Sequence, residues 1–254
     1  MISRNMDRKD RILGALYGVV VGDALGAPLE FMTAEEILAK YGAPVREMIS
    51  GGWLSVVPGE VTDDTQMTLA VAEGIAENPE MPIPAIGRRL IKWHDSRPKD
   101  IGNTCRTAIQ RAKQVIASGV DEADAWRCAG VEVAEHSSGR NAGNGALMRT
   151  VYPALFYAKE KAAKMAVAIG AMTHRNDSSD KYCRLYVELV ADALGNPEGV
   201  LQHVRQQQII SRLQWTDEGR RCRGMKSGIS WIICWEQEKY RRLGICLIRD
   251  RKRH

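Results

Sequence analysis

The chain has 254 residues, 44% hydrophobic and 26% charged, with two Phe and a net charge of +5. That length buries a full core as one large domain or two small ones, and the balance is ordinary for a soluble globular protein. Its six Cys form no C-x-x-C pair, which excludes the common zinc and redox motifs and makes a reduced, cytoplasmic setting the expectation.

The positive charge is unevenly spread. From Arg220 onward eleven Lys/Arg stand against three Asp/Glu, a net +8, while the preceding 219 residues carry −3. Basic character confined to a tail is a poor sign of a nucleic-acid-binding domain, so nucleic acid is disfavoured as a partner. The opening MISRNMDRKDR places charges where a secretory signal needs an apolar run. The apolar stretch from Ile12 to Gly22 is too short to span a bilayer, so no membrane association is expected. Oligomeric state is left open.

In chain order, a first helix is predicted from near Asp7, carrying Gly14, Gly18, Gly22 and Gly26 at four-residue spacing. Such spacing lines one helix face with bare backbone, suited to close approach of another helix or of a ligand. Each Gly costs about 1 kcal/mol against Ala in a helix interior, so the stripe needs a reason. Thr33 is a plausible N-cap for a helix opening at 34–38. Gly51, Gly52, Pro58 and Gly59 mark a long loop ending at Thr62. Helical spacing then recurs over 63–77, 84–95, 103–118, 121–135, 146–158, 160–173 and 178–194, with no alternating strand pattern and no fixed repeat. The expected fold is all-α, a compact multi-helix bundle.

Thr62, Asp63 and Asp64 put a hydroxyl and two carboxylates within one turn, the hard oxygen ligands that Mg²⁺ and Mn²⁺ prefer. Neighbouring helical residues point about 100° apart, so two such Asp more naturally bridge or serve two ions than chelate one. Thr followed by two Asp is also how ordinary helices start, and both readings stand at this point. Asp100 and Asn103 occupy a loop before a helix, where Asn103 or Thr104 could cap and Asp100 could be solvated. The small residues of 140–149 present backbone N–H groups suited to an anion, without the Lys-Ser/Thr of a P-loop. Thr173-His174 lies at another polar junction, where a single His is commonly structural.

The motifs Asp10-Arg-Ile-Leu-Gly, Gly22-Asp-Ala-Leu-Gly-Ala-Pro-Leu-Glu-Phe31, Thr62-Asp-Asp-Thr-Gln-Met67, Asp100-Ile-Gly-Asn-Thr104, Gly143-Asn-Gly-Ala-Leu-Met-Arg149 and Thr173-His174 occur in this order. Together they resemble the ADP-ribosylglycohydrolase family over roughly residues 8 to 195. The likeness is greatest to its bacterial branch, which includes the dinitrogenase-reductase-activating type. The resemblance implies removal of ADP-ribose from modified protein side chains, commonly arginine, or from related conjugates, with a two-ion Mg²⁺/Mn²⁺ centre. It implies Thr62, Asp63 and Asp64 as metal ligands and Glu30 over the metal near the substrate. Asp100 becomes a candidate acid/base and Asn103 a ribose contact. Gly143, Asn144, Gly145 and Met148 would hold the ADP-ribose phosphates and ribose, and His174 would line the pocket.

The family also carries a second acidic motif, Asp-x-Asp-Thr, near its C-terminus, and none occurs from residue 177 onward. Ala falls from 28 residues before position 194 to none in the last 61. The expected organisation is therefore a helical domain over 1–195 and an atypical basic segment over 196–254, with an incomplete C-terminal part and a doubtful second metal site. An interruption of the reading frame or domain after about 195–220 would account for both changes.

Overall fold

A computed structural model describes residues 7–137, 141, 143–196 and 199–200; the expectations for nearly all of the 196–254 segment lie outside the described residues. Nine α-helices occur among the described residues: α1 (Arg8–Gly26), α2 (Ala34–Tyr41), α3 (Asp63–Glu77), α4 (Pro82–Asp95), α5 (Asn103–Ala117), α6 (Glu122–His136), α7 (Val151–Phe156), α8 (Lys159–Ala171) and α9 (Asp177–Gly195). The described residues contain no strand, only an isolated antiparallel bridge between Gly51 and Val56. The all-α expectation holds.

Local chemistry sets most boundaries. The Asp7 side chain accepts from the Asp10 N–H at the start of α1. Thr33 and Glu36 form a reciprocal capping box at α2, which ends on Gly42 in the left-handed region. The single helix expected over 146–158 is instead a 3₁₀ turn at Leu147–Arg149 followed by α7. Pro153 explains the break: it has no N–H for the carbonyl four residues back, and its ring crowds that carbonyl. The discontinuity turns Arg149 inward, where it is fully buried.

The core is shared by α3 to α9, with Met67, Val71, Ile75, Ile86, Leu90, Ile109, Trp126, Ile169 and Val187 at its centre. Two glycines permit close crossings at α4. A Cβ on Gly74 of α3 would lie 2.5 Å from the Ile86 side chain, and one on Gly87 of α4 would lie 1.9 Å from Trp126 Nε1. The stripe on α1 behaves otherwise: Gly14 and Gly18 are exposed, and a Cβ on either would meet nothing within 4 Å. Among the described residues no helix packs closely on either.

The helical run from Arg8 to Leu29 spans 22 residues and contains an 18-residue stretch with a mean hydropathy of 1.6, long and apolar enough to cross a membrane. This corrects the shorter apolar stretch expected at Ile12–Gly22. Its last turns are nevertheless tied into the helical body, because Asp23 and Ala24 are buried and Asp23 bonds to the start of α3.

Candidate active site

The first turn of α3 is organised from outside the helix. Thr62 is its N-cap but makes no side-chain capping bond. Asp23 of α1 takes over that role. One of its oxygens accepts from Thr62 N–H at 2.9 Å, Thr65 N–H at 3.1 Å and Thr65 Oγ1 at 2.6 Å; the other accepts from Thr62 Oγ1 at 2.8 Å. An Asp near the C-terminal end of α1 opposes that helix's own dipole, and the positive end of α3 offsets this. The ordinary-cap reading of Thr62 thus fails, since its hydroxyl donates to a carboxylate instead of accepting from the helix.

That donation leaves the oxygen lone pairs of Thr62 facing its neighbours. Asp64 Oδ2 lies 3.3 Å from the same Oγ1, and the single hydroxyl proton goes to the nearer Asp23. Thr62, Asp63 and Asp64 are all buried, at 7%, 3% and 2% exposure. Asp63 Oδ1 and Asp64 Oδ1 are buried oxygens that receive no hydrogen bond. Carboxylates concentrated in this way are costly to desolvate, and a hard divalent cation relieves both burial and mutual repulsion. Two carboxylates and a hydroxyl form an open oxygen set; among the described residues no group of three or more His, Cys, Asp or Glu side chains forms a closed metal cage.

Several elements converge on this turn. Thr68 donates to the Asp64 carbonyl at 2.8 Å, and the Met148 carbonyl lies 3.2 Å from the same hydroxyl, placing the 3₁₀ turn against α3. Asp63 lies near enough to Cys105 to help raise its thiol, after burial as the main cause. Asp64 does the same to the Tyr186 hydroxyl, again behind burial. The Lys99–Glu60 ion pair, at 2.5 Å, holds the loop bearing Asp100 against the loop leading into Thr62. Asp100 is 4% exposed, so the solvated alternative is excluded. Asn103 is exposed in the first turn of α5, whose N-cap is Gly102, so neither Asn103 nor Thr104 is the cap.

A second cluster surrounds His174. Thr173 Oγ1 lies 2.7 Å from His174 Nδ1 and accepts from Arg149 at 2.7 Å. A Cβ on Gly143 would stand 3.3 Å from His174 Nε2, and one on Gly145 would stand 2.9 Å from His174 Cε1 and 3.0 Å from Cys105 Sγ. The imidazole therefore packs directly on the 143–145 backbone, and Cys105 joins this cluster to Asp63. Asn144 is part-buried, and its carbonyl accepts from the Met148 N–H. Burial, with the Arg149 charge second, pulls the His174 pKa down to about 3, so the ring is neutral.

Glu30 belongs to a third set of contacts. It follows the 3₁₀ turn Ala27–Leu29, and Trp53 Nε1 donates to its Oε2 at 2.5 Å. Phe31, at φ 64°, and Trp53 have ring centroids 5.6 Å apart and line an open groove with Glu30. Gly52, at φ 70°, allows this loop to press on Pro28, whose Cα would lie 2.8 Å from a Cβ there. Asp23, Trp53, Arg149 and Thr173 have structural roles that the sequence reading did not assign. Asp23 had one legible signal: a lone carboxylate inside an otherwise apolar helical run.

Comparisons with known proteins show what the chain is similar to. The family model described as ADP-ribosylglycohydrolase matches residues 4–241, extending past the boundary expected at 195. The chain is 38% identical to the ADP-ribosyl-[dinitrogen reductase] glycohydrolase of Rhodospirillum rubrum, over 73% of this chain and 58% of that protein. It is 35% identical to the ADP-ribosylarginine hydrolase Tri1 of Serratia proteamaculans, over 40% of this chain and 28% of that protein. The chain thus spans little more than half the length of the first of these relatives. A solved chain of an ADP-ribosylglycohydrolase-related protein complex superposes with a TM-score of 0.60 at 26% identity, covering 89% of this chain and 74% of the other.

Asp23→Asn replaces a four-bond acceptor with an amide that presents donors to donors. It is expected to lower stability by at least about 2 kcal/mol and to weaken Mn²⁺ binding about tenfold or more. Urea denaturation and Mn²⁺ titration read the two effects; an unchanged titration contradicts the organising role. The depressed His174 pKa gives a separate pH signature. Between the ordinary imidazole value of 6.5 and about 3, the unfolded chain binds a proton that the folded chain refuses. Its contribution is full above that window and is lost as pH falls through it, at up to about 1.4 kcal/mol per pH unit. Urea midpoints of His174→Gln should lack that part of the slope; slopes equal to the wild type's would show that the folded ring titrates normally.

Proposed function

Because the chain belongs to the ADP-ribosylglycohydrolase family, we propose that it hydrolyses ADP-ribose from ADP-ribosylated protein side chains, arginine foremost, or from related conjugates. The observation that carries this reading is the buried oxygen set of Thr62, Asp63 and Asp64, joined through Cys105 to the imidazole-lined glycine loop. The two relatives are named for ADP-ribosyl-dinitrogen reductase and for ADP-ribosylarginine. The proposed setting is the cytoplasm.

Thr62, Asp63 and Asp64 would hold Mg²⁺ or Mn²⁺, with Asp23 fixing their turn. Such an ion supplies Lewis acidity toward the ribose hydroxyls and makes water beside the anomeric carbon more acidic. Around that carbon the chain supplies its own groups. Cleavage there builds positive oxocarbenium character, which buried carboxylates stabilise. Asp100 is the candidate to move a proton between water and the departing guanidine. Gly143, Asn144, Gly145 and Met148 would receive the phosphates and ribose on backbone and small side chains, with Asn103 and His174 at their edge. Glu30, in its open groove beside Trp53, would stand on the side from which a modified protein approaches.

A specific observation favours a second reading. No Asp-x-Asp-Thr sequence occurs from residue 177 onward, so the same pocket serves an ADP-ribose-binding protein without turnover if the remaining ligands hold ions too weakly. Incubation of purified protein with ADP-ribosyl-arginine and Mn²⁺, with and without EDTA, separates the two. Hydrolysis predicts release of free ADP-ribose that EDTA abolishes. Binding without release selects the second reading, and neither binding nor release contradicts both.

A further inference from the structure

Arg149 is wholly buried, and among the described residues it donates to no carboxylate. Its NH1 reaches the Gly145 carbonyl at 2.8 Å and Cys105 Sγ at 3.7 Å; its NH2 reaches the Ile169 carbonyl at 2.9 Å and Thr173 Oγ1 at 2.7 Å. Burying an unpaired guanidinium is expensive, so its placement calls for a purpose beyond packing.

Proton bookkeeping suggests one. A guanidinium only donates, so Thr173 Oγ1 is the acceptor in their contact. The hydroxyl keeps a proton of its own, and His174 Nδ1 lies 2.7 Å away. Cys105 Sγ is the competing acceptor, a weak one, and Arg149 already addresses it. If Nδ1 accepts, a neutral ring must carry its proton on Nε2. That atom is the one turned to the loop, 3.3 Å from where Gly143 and Gly145 would each bear a Cβ.

We propose that Arg149 and Thr173 are positioning residues: a one-way donor chain, Arg149 to Thr173 to His174, that holds His174 as its Nε2–H tautomer. The ring then presents one uncharged donor to an acceptor oxygen of a ligand seated on the 143–145 loop. The identity of that ligand as ADP-ribose, with a phosphate oxygen as acceptor, rests on the function proposed above; the donor chain does not. Because the ring stays neutral, the donor neither appears nor disappears around neutral pH, and it disfavours ligand groups that offer only N–H donors at this point.

Nitrogen-15 labelling of histidine tests the tautomer without substrate, with the His174 signals assigned by their loss in His174→Gln. The proposal expects an unprotonated Nδ1 and a protonated Nε2 at neutral pH. A protonated Nδ1 overturns it and assigns the Thr173 proton to Cys105. Thr173→Val removes the hydroxyl at nearly constant volume. It should shift His174 toward a tautomer mixture and weaken ADP-ribose binding about tenfold, the worth of one charge-assisted hydrogen bond. Thr173→Ser should restore both. A variant whose tautomer is unchanged overturns the chain, and the wild-type spectrum decides the matter if the valine variant does not fold. Wild type with the expected tautomer but no affinity for ADP-ribose confirms the chain and overturns the ligand.

Discussion

Four donors on the first turn of α3 converge on the carboxylate of Asp23, 39 and 42 positions earlier in the chain. Two are backbone N–H groups that a helix start must satisfy somehow, and two are the hydroxyls of Thr62 and Thr65. By accepting all four, Asp23 frees the turn from capping itself. Thr62, Asp63 and Asp64 can then be buried with their oxygens arranged for something else. The same bonds seat the end of α1, a helix apolar from Ile12 to Gly22 and with exposed glycines, on the body of the protein.

The rest of the site is built outward from that turn. Thr68 carries the order one turn further and fixes Met148. The 3₁₀ turn that holds Met148 also points Arg149 inward, and Arg149 ties the glycine loop to α8 and to Thr173. Cys105, its thiol held protonated mainly by burial, is where the carboxylate and imidazole clusters meet. An acidic, oxygen-rich half thus adjoins a donor-rich half that holds the buried Arg149 charge beside a neutral imidazole. That division suits a ligand with hydroxyls at one end and phosphates at the other.

Much of this was legible in the sequence, and the exceptions share a cause. Helices α3 to α6 and α9 follow three- and four-residue apolar spacing closely, because one face of each meets the shared core. Thr62, Asp63 and Asp64 stood out as an oxygen-rich turn, but only the partner that receives the Thr62 hydroxyl shows that this side chain is not a common cap. That partner is distant in the chain, as are Trp53 for Glu30 and Arg149 for Thr173. Pattern along a chain reports local preference and burial, and it is silent on which buried polar group answers which. The helix expected over 146–158 failed for a local reason, the ring of Pro153, and the resulting break is what delivers Arg149 to its place.

The Asp23-braced start of α3 is proposed as a seat for a divalent cation. Anomalous diffraction from crystals soaked in Mn²⁺ addresses it directly. A peak bonded to oxygens of Thr62, Asp63 and Asp64 is expected, with Asp23 still bridging Thr62 and Thr65 behind them. A well-occupied peak elsewhere, or these carboxylates turned away from an unfilled cleft at saturating Mn²⁺, would contradict it.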